Sequence, residues 1–263
     1  MHVYAIQPDI VWEDPARSIA HVRDLLSGMT IEPGSLLVLP EMFSTGFSMN
    51  VSRVAEGSAK PAESFLREIA MTYQSIALGG VVNIAATRRG LNQALGFDAT
   101  GQEIIRYNKV HPFSYSQETD HYDAGQKVLN FSHAGWNISP LVCYDLRFPE
   151  LFRIAAGNGA QLLVVIANWP ASRIDHWTTL LKARAIENQS YVIGVNRVGH
   201  DPVAAYNGQS VILDPKGHAL AQGSNQPLVL HATLDLESLL AYRAKFPALA
   251  DMKYHWDADS FSR

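Results

Sequence analysis

Cysteine is almost absent: Cys143 is the only one in 263 residues. That excludes an intrachain disulfide framework and argues against a cysteine-built zinc site. Charge is sparse too, at 17% of residues, with 21 Lys and Arg against 25 Asp and Glu. A formal balance of −4 lacks the concentrated positive charge of a nucleic-acid or anionic-membrane surface. Long apolar runs are missing; stretches such as LLVVIANW (162–169) are strand-sized, well short of the ~20 residues that cross a bilayer. The N-terminal MHVYAIQPDIVWED has neither the basic flank nor the apolar stretch of a secretory signal. The expectation is a cytoplasmic, soluble protein.

What is present is a core. Hydrophobic residues make up 47% of the chain, and short apolar runs alternate with amphipathic segments. VYAI (3–6), LLVL (36–39), SIALGGVVNI (75–84), QLLVVIANW (161–169) and YVIGVNRV (191–198) read as strands. Helical spacing runs through ARSIAHVRDLL (16–26), with Asp14 as N-cap and Pro15 in the first turn. It recurs in AESFLREIAMTY (62–73), FPELFRIAAGNG (148–159), HWTTLLKARAIENQ (176–189) and ESLLAYRAKF (237–246). TRRG (87–90), ATGQ (99–102) and DPKG (214–217) are hairpin signals, so the sheets should be mixed. VLNFSHAG (128–135), WNISPLVCYD (136–145) and LVLHATLDL (228–236) continue the strands. Gly79 and Gly80 fall inside a strand, where glycine serves close packing. The tail ADMKYHWDADSFSR (250–263) has no period and is expected to fray or to pack on a partner. No repeat or linker interrupts the pattern, which predicts an α/β fold in a single domain over 1–263.

Three chemically useful residues fall at predicted strand ends, where loops diverge and ligands gather. Cys143 ends one, Glu41 in VLPEMFSTGF another, and Lys109 in YNKVHPFS a third. Each has a bland reading alone: an inert thiol, a surface carboxylate and a solvated lysine. Together they form a nucleophile, a base and a cation. A free carboxylate is about four pK units too acidic to deprotonate a thiol, or ~6 kcal/mol. A cation beside the sulfur and a desolvated glutamate are expected to narrow that gap from both sides. The ammonium would also face a developing oxyanion.

LPEMFSTGF, YNKVHPF and LVCYDLRFPELFR, supported by ANWPASRIDHWTTLLKARAIENQSYVIGVNRVG, resemble the nitrilase (carbon–nitrogen hydrolase) superfamily over nearly the whole chain. CYDLRFP with ANWP and ARAIENQ is most similar to its omega-amidases. The resemblance implies a four-layer α-β-β-α sandwich of two mixed sheets and a catalytic set of Glu41, Lys109 and Cys143. It adds a second glutamate, for which Glu118 matches and Asp120 is the alternative, and an oxyanion contact from the Tyr144 backbone N–H. It implies no cofactor and no metal. His111, His121 and His133 are ten and twelve residues apart, a spacing unlike a short metal motif. The expected partners are a small amide substrate and further copies of the chain, as a homodimer or higher homo-oligomer joined through outer helices and the tail.

An ω-amide of a dicarboxylic acid presents a carboxylate at its far end, which a guanidinium can clamp with two hydrogen bonds. Arg147 and Arg173 are the candidates, with Phe43 and Trp169 as apolar walls. Each also has a structural reading, Arg147 as an ion pair with Asp145 or Glu150. Pro112, where the omega-amidases more often carry Leu, marks a departure in the loop before Glu118. Tyr144 and Asp145 stand where true nitrilases carry a Trp–Glu pair, which argues against nitriles. The expected activity is hydrolysis of 2-oxoglutaramate and 2-oxosuccinamate. The rivals are another carbon–nitrogen hydrolase, acting on a carbamoyl amine or aliphatic amide, and a silent binding or redox-sensing homologue.

Overall fold

The computed structural model describes residues 1–253; most of the aperiodic tail, and the partner contact expected of it, lie outside the described residues. The chain opens with β1 (His2–Gln7), and Asp14 then caps α1 (Pro15–Leu26) by accepting from the Arg17 N–H, with Pro15 in the first turn. β2 (Leu36–Val38) lies parallel to β1. The short α2 (Val51–Val54) and α3 (Pro61–Thr72) lead to β3 (Ile76–Ile84), parallel to β2. Two tight turns then give β4 (Gly90–Phe97) and β5 (Glu103–Asn108), each antiparallel to the strand before it. The reversals fall at the two predicted hairpin signals, and they return β5 to the direction of β3.

A connection containing α4 (Glu118–His121) crosses to the second sheet. There β6 (Phe131–His133), β7 (Trp136–Val142), α5 (Pro149–Gly157), β8 (Leu162–Ile166), α6 (Ile174–Glu187) and β9 (Tyr191–Val195) follow in order. β7, β8 and β9 are mutually parallel. A small ribbon of β10 (Val198–His200) and β11 (Ala205–Asn207) intervenes. β12 (Val211–Leu213) and β13 (Ala219–Gln222) then form the hairpin predicted at 214–217. β14 (Leu228–Thr233) returns to pair antiparallel with β1, and α7 (Leu236–Lys245) follows. The orders are β14-β1-β2-β3-β4-β5 and β13-β12-β9-β8-β7-β6.

Strand alternation builds the layers. Val3, Ala5, Leu36, Val38, Ile76 and Leu78 face the second sheet and share a core with Ile138, Val165 and Val192. Their neighbours Tyr4, Ile6, Leu37 and Ala77 pack outward against Val22 and Leu26 of α1 and Phe65, Leu66 and Ile69 of α3. On the other side α6 lies so close to β9 that a Cβ at Gly194 would fall 2.3 Å from Leu181. The result is the expected α-β-β-α sandwich with two mixed sheets. Among the described residues, no helix is long and apolar enough to cross a membrane.

Candidate active site

The parallel strands β2, β7, β8 and β9, with β5 brought back to the direction of β3 by two reversals, end on one side of the sandwich, so the residues just past them converge. Glu41 follows β2 at a turn in which Met42 has φ +43°. The extended segment continues against β3, with Gly80 N–H donating to Pro40 O at 2.9 Å and Phe43 N–H to Gly80 O at 3.2 Å. A Cβ at Gly80 would lie 2.4 Å from the Glu41 Cα, so glycine is required there for Glu41 to take its place. Cys143 follows β7 directly and opens the 3-10 turn Cys143–Arg147. Its φ of +50° is sterically costly for a non-glycine residue and is held by the surroundings. Asp145 does much of the holding: its carboxylate accepts from the Val142 N–H (3.0 Å), the Tyr107 hydroxyl (2.8 Å) and the His111 N–H (2.9 Å). The nucleophile's turn is thereby tied to the end of β5, where Lys109 sits.

Glu41, Lys109 and Glu118 are buried, and Cys143 beside them is half-buried. Lys109 Nζ donates to Glu41 Oε1 at 2.9 Å and to Glu118 Oε1 and Oε2 at 3.1 and 2.8 Å. Asn92 Nδ2 bridges the two carboxylates, 2.6 Å from Glu41 Oε1 and 2.9 Å from Glu118 Oε1. From the second sheet, the Asn168 N–H donates to Glu41 Oε2 at 2.9 Å and its side-chain amide to Glu41 O at 2.6 Å. The Cys143 thiol donates to Asn168 O at 4.0 Å, and the Glu41 charge acts on it. Glu118 is fully buried on Lys109, whereas Asp120 is exposed, so the acidic loop reaches the lysine through Glu118.

Electrostatics here depart from the sequence expectation. Burial alone would raise Glu41, but the Lys109 charge and hydrogen bonds from Lys109, Asn92 and the Asn168 N–H outweigh it and hold Glu41 low. Burial works against the Lys109 charge, yet Glu118 and Glu41 keep the lysine protonated well above its ordinary range. Glu118 is raised by burial, against Lys109 and with the Glu41 charge. Cys143 is pushed well up by burial and then by Glu41, more than Lys109 lowers it. The thiol–carboxylate gap is therefore wider at rest, not narrower. One ammonium already shared by two carboxylates cannot stabilise a thiolate as a lone cation would.

Above the cluster opens a cavity of about 630 Å³ lined by Cys143, Tyr144, Arg147, Trp169 and Arg173 among others. The Arg147 guanidinium lies over the Trp169 ring and donates to His176 Nδ1 at 3.1 Å, instead of pairing with Asp145 or Glu150. Arg173 lies over Phe113 and Tyr115. Asp201, also in the wall, is satisfied by the Tyr206 hydroxyl and two backbone N–H groups. Phe43 does not reach this cavity: it is wholly buried on the helix side of the first sheet against Phe65. The turn at Met42 directs it under α3, and Phe47 lines the cavity instead, 5.1 Å from Lys109 Nζ.

Sequence reasoning passed over Asn92, Asn168 and Asn196. Asn196 accepts from the Trp169 N–H and donates to Trp169 O, fixing the segment after β8. Asn168 and Asn196 each follow an apolar strand, the same signal that picked out Glu41, but uncharged amides did not stand out. Among the described residues, no three His, Cys, Asp or Glu side chains converge in a way that could hold a metal ion.

A buried carboxylate and ammonium beside a half-buried thiol at the strand ends of a double-sheet sandwich define a class of hydrolase, and the chain belongs to the carbon–nitrogen hydrolase family, whose profile matches residues 3–244. It is 42% identical over 248 residues to the omega-amidase YafV of Yersinia enterocolitica, covering 94% of each chain. It is 32% identical to the 2-oxoglutaramate amidase of Bacillus subtilis, covering 95% of this chain and 97% of that one. A CN-hydrolase superfamily protein of Xanthomonas campestris, solved with an arsenic adduct in its active site, superposes with a TM-score of 0.90 at 32% identity over 98% of each chain.

Proposed function

We propose that the protein is an omega-amidase that hydrolyses the terminal amide of small dicarboxylic acid monoamides, 2-oxoglutaramate and 2-oxosuccinamate, to the acid and ammonia. The observation that carries this reading is the Glu41–Lys109–Cys143 cluster opening into a cavity whose wall bears Arg147 and Arg173. The amidase relatives, similar over nearly their full lengths, support it.

Glu41 takes the Cys143 proton as the sulfur attacks the amide carbon. Because the resting thiol is held neutral, proton transfer accompanies C–S bond formation and no thiolate is stored beforehand. Lys109 and the Tyr144 N–H hold the oxyanion, where fixed donors contribute most. The C–N bond breaks as the amine takes the proton from Glu41, leaving ammonia and a thioester. Water then gives a proton to Glu41 and attacks the acyl carbon; the C–S bond breaks and the proton returns to sulfur. Glu118 keeps Lys109 in place, and Arg147 and Arg173 receive the distal carboxylate. We place this in one domain over residues 1–263 that works without cofactor as a cytoplasmic homodimer or higher homo-oligomer.

The test is ammonia release by wild type and Cys143→Ala over 2-oxoglutaramate, succinamate, glutamine, asparagine, a carbamoyl amine and an aliphatic nitrile. Turnover of the first two, lost in Cys143→Ala, is the expected result. In Arg147→Ala and Arg173→Ala the KM for both should rise about 10- to 100-fold, the weight of a charged hydrogen bond. Turnover confined to the carbamoyl amine would overturn the substrate assignment, and ammonia release by Cys143→Ala would overturn the mechanism.

A further inference from the structure

Asn92 projects from β4 between two carboxylates that come from different parts of the chain. Its Nδ2 donates to Oε1 of Glu41 and to Oε1 of Glu118, which uses both protons of the amide. The same two oxygens accept from Lys109 Nζ, so each Oε1 has two donors. Glu118 Oε2 is occupied by Lys109 and by the Phe113 N–H. Among the described residues the fixed donor to Glu41 Oε2 is the Asn168 N–H alone, so this is the carboxylate oxygen with room for the thiol proton. Asn92 is 2% exposed, and its Oδ1 finds no protein partner among the described residues. An unmatched buried acceptor is destabilising, and an apolar side chain at this position would avoid it. What the position gains from an amide must come from its two N–H groups.

Resting on the amidase reading, we propose that Asn92 is a positioning residue that clamps Glu41 and Glu118 together through their Oε1 atoms, keeping Oε2 of Glu41 turned to the Cys143 sulfur. An amide suits the task because it attracts two anions without adding charge. A second cation would compete with the thiol proton for Glu41, and a third carboxylate would repel both. The titratable groups around Glu41 are Lys109 beyond β5, Glu118 and Tyr122 at the two ends of the α4 turn, and Cys143 beyond β7. Among the neighbours of the two carboxylates, Asn92 is a neutral donor that touches both.

Two near-isosteric variants test this, Asn92→Leu and Asn92→Asp, assayed on whichever amide the wild type turns over. In Asn92→Leu, kcat should fall at least 10-fold with KM changed less than about twofold. The acid limb of its kcat/KM profile should move to higher pH, because Glu41 loses a donor that favours its charged form. Asn92→Asp should recover part of that activity at pH 5, where a protonated carboxyl can donate, and lose it by pH 8. Wild-type kcat with an unmoved acid limb in either variant would overturn the proposal. So would a loss that follows the melting temperature alone in both. The pH profile of Cys143 alkylation by iodoacetamide needs no substrate: it should shift in Asn92→Leu, and an unshifted profile would refute the clamp. If the wild type hydrolyses no amide of the panel, the functional reading fails, while the alkylation profile still decides the clamp.

Discussion

At Cys143 the local charge is set by three groups, and their sum opposes a thiolate. Lys109 is shared between Glu41 and Glu118, so the sulfur sees carboxylate charge that the lysine does not fully cancel. In the proposed mechanism Glu41 is thus both the base that accepts the thiol proton and a charge that disfavours the thiolate at rest. Glu41→Gln separates these roles. Turnover should fall at least 10³-fold, because a general base is lost. The midpoint of Cys143 alkylation by iodoacetamide should move to lower pH, because a negative charge beside the sulfur is gone. An alkylation midpoint that moved to higher pH would contradict this view of the site.

At the scale of elements, the strands that place the site were readable because they are short, apolar and bounded by turn residues. Glu41, Lys109 and Cys143 were legible for the same reason, as polar residues at the ends of apolar runs. Phe43 was misplaced because a positive φ at Met42 cannot be read from a string that looks like a continuing loop. Asn92 was missed because it sits inside a strand, where sequence alone does not say which face meets another element. The joining of β14 to β1 was equally hidden, since antiparallel pairing across more than 200 residues leaves no local signal. Glu63, in the first turn of α3, shows how these elements are tied. Burial alone would raise it, but hydrogen bonds from Arg106, Asn83 and Lys60 hold its pKa down at about 2. A depressed carboxylate contributes fully above its unfolded pKa of about 4.5 and is lost as pH falls toward the folded value. That contribution is about 3 kcal/mol at neutral pH, of which about 2 should be gone by pH 3. Urea unfolding of wild type and Glu63→Gln should therefore show a stability difference that shrinks from pH 7 to pH 3. A constant difference would mean the network contributes nothing through charge.

At the scale of the molecule, two sheets with their parallel strand ends on one side bring residues from both layers into one cluster. Asn168, on the second sheet, holds both the backbone and the carboxylate of Glu41, on the first. The sandwich must therefore be closed for the Glu41 carboxylate to be held in this position. The same closure leaves Cys143 at the floor of a cavity with two guanidinium groups in its wall, a shape suited to an amide at one end and a carboxylate at the other. A thioester formed there can be intercepted by a small nucleophile in place of water. Wild type turning over succinamate in the presence of hydroxylamine should release ammonia and yield the succinic monohydroxamate along with the acid, and Cys143→Ala should yield neither ammonia nor hydroxamate. Acid formed without any hydroxamate, or hydroxamate formed by Cys143→Ala, would mean that no acyl group passes through the sulfur.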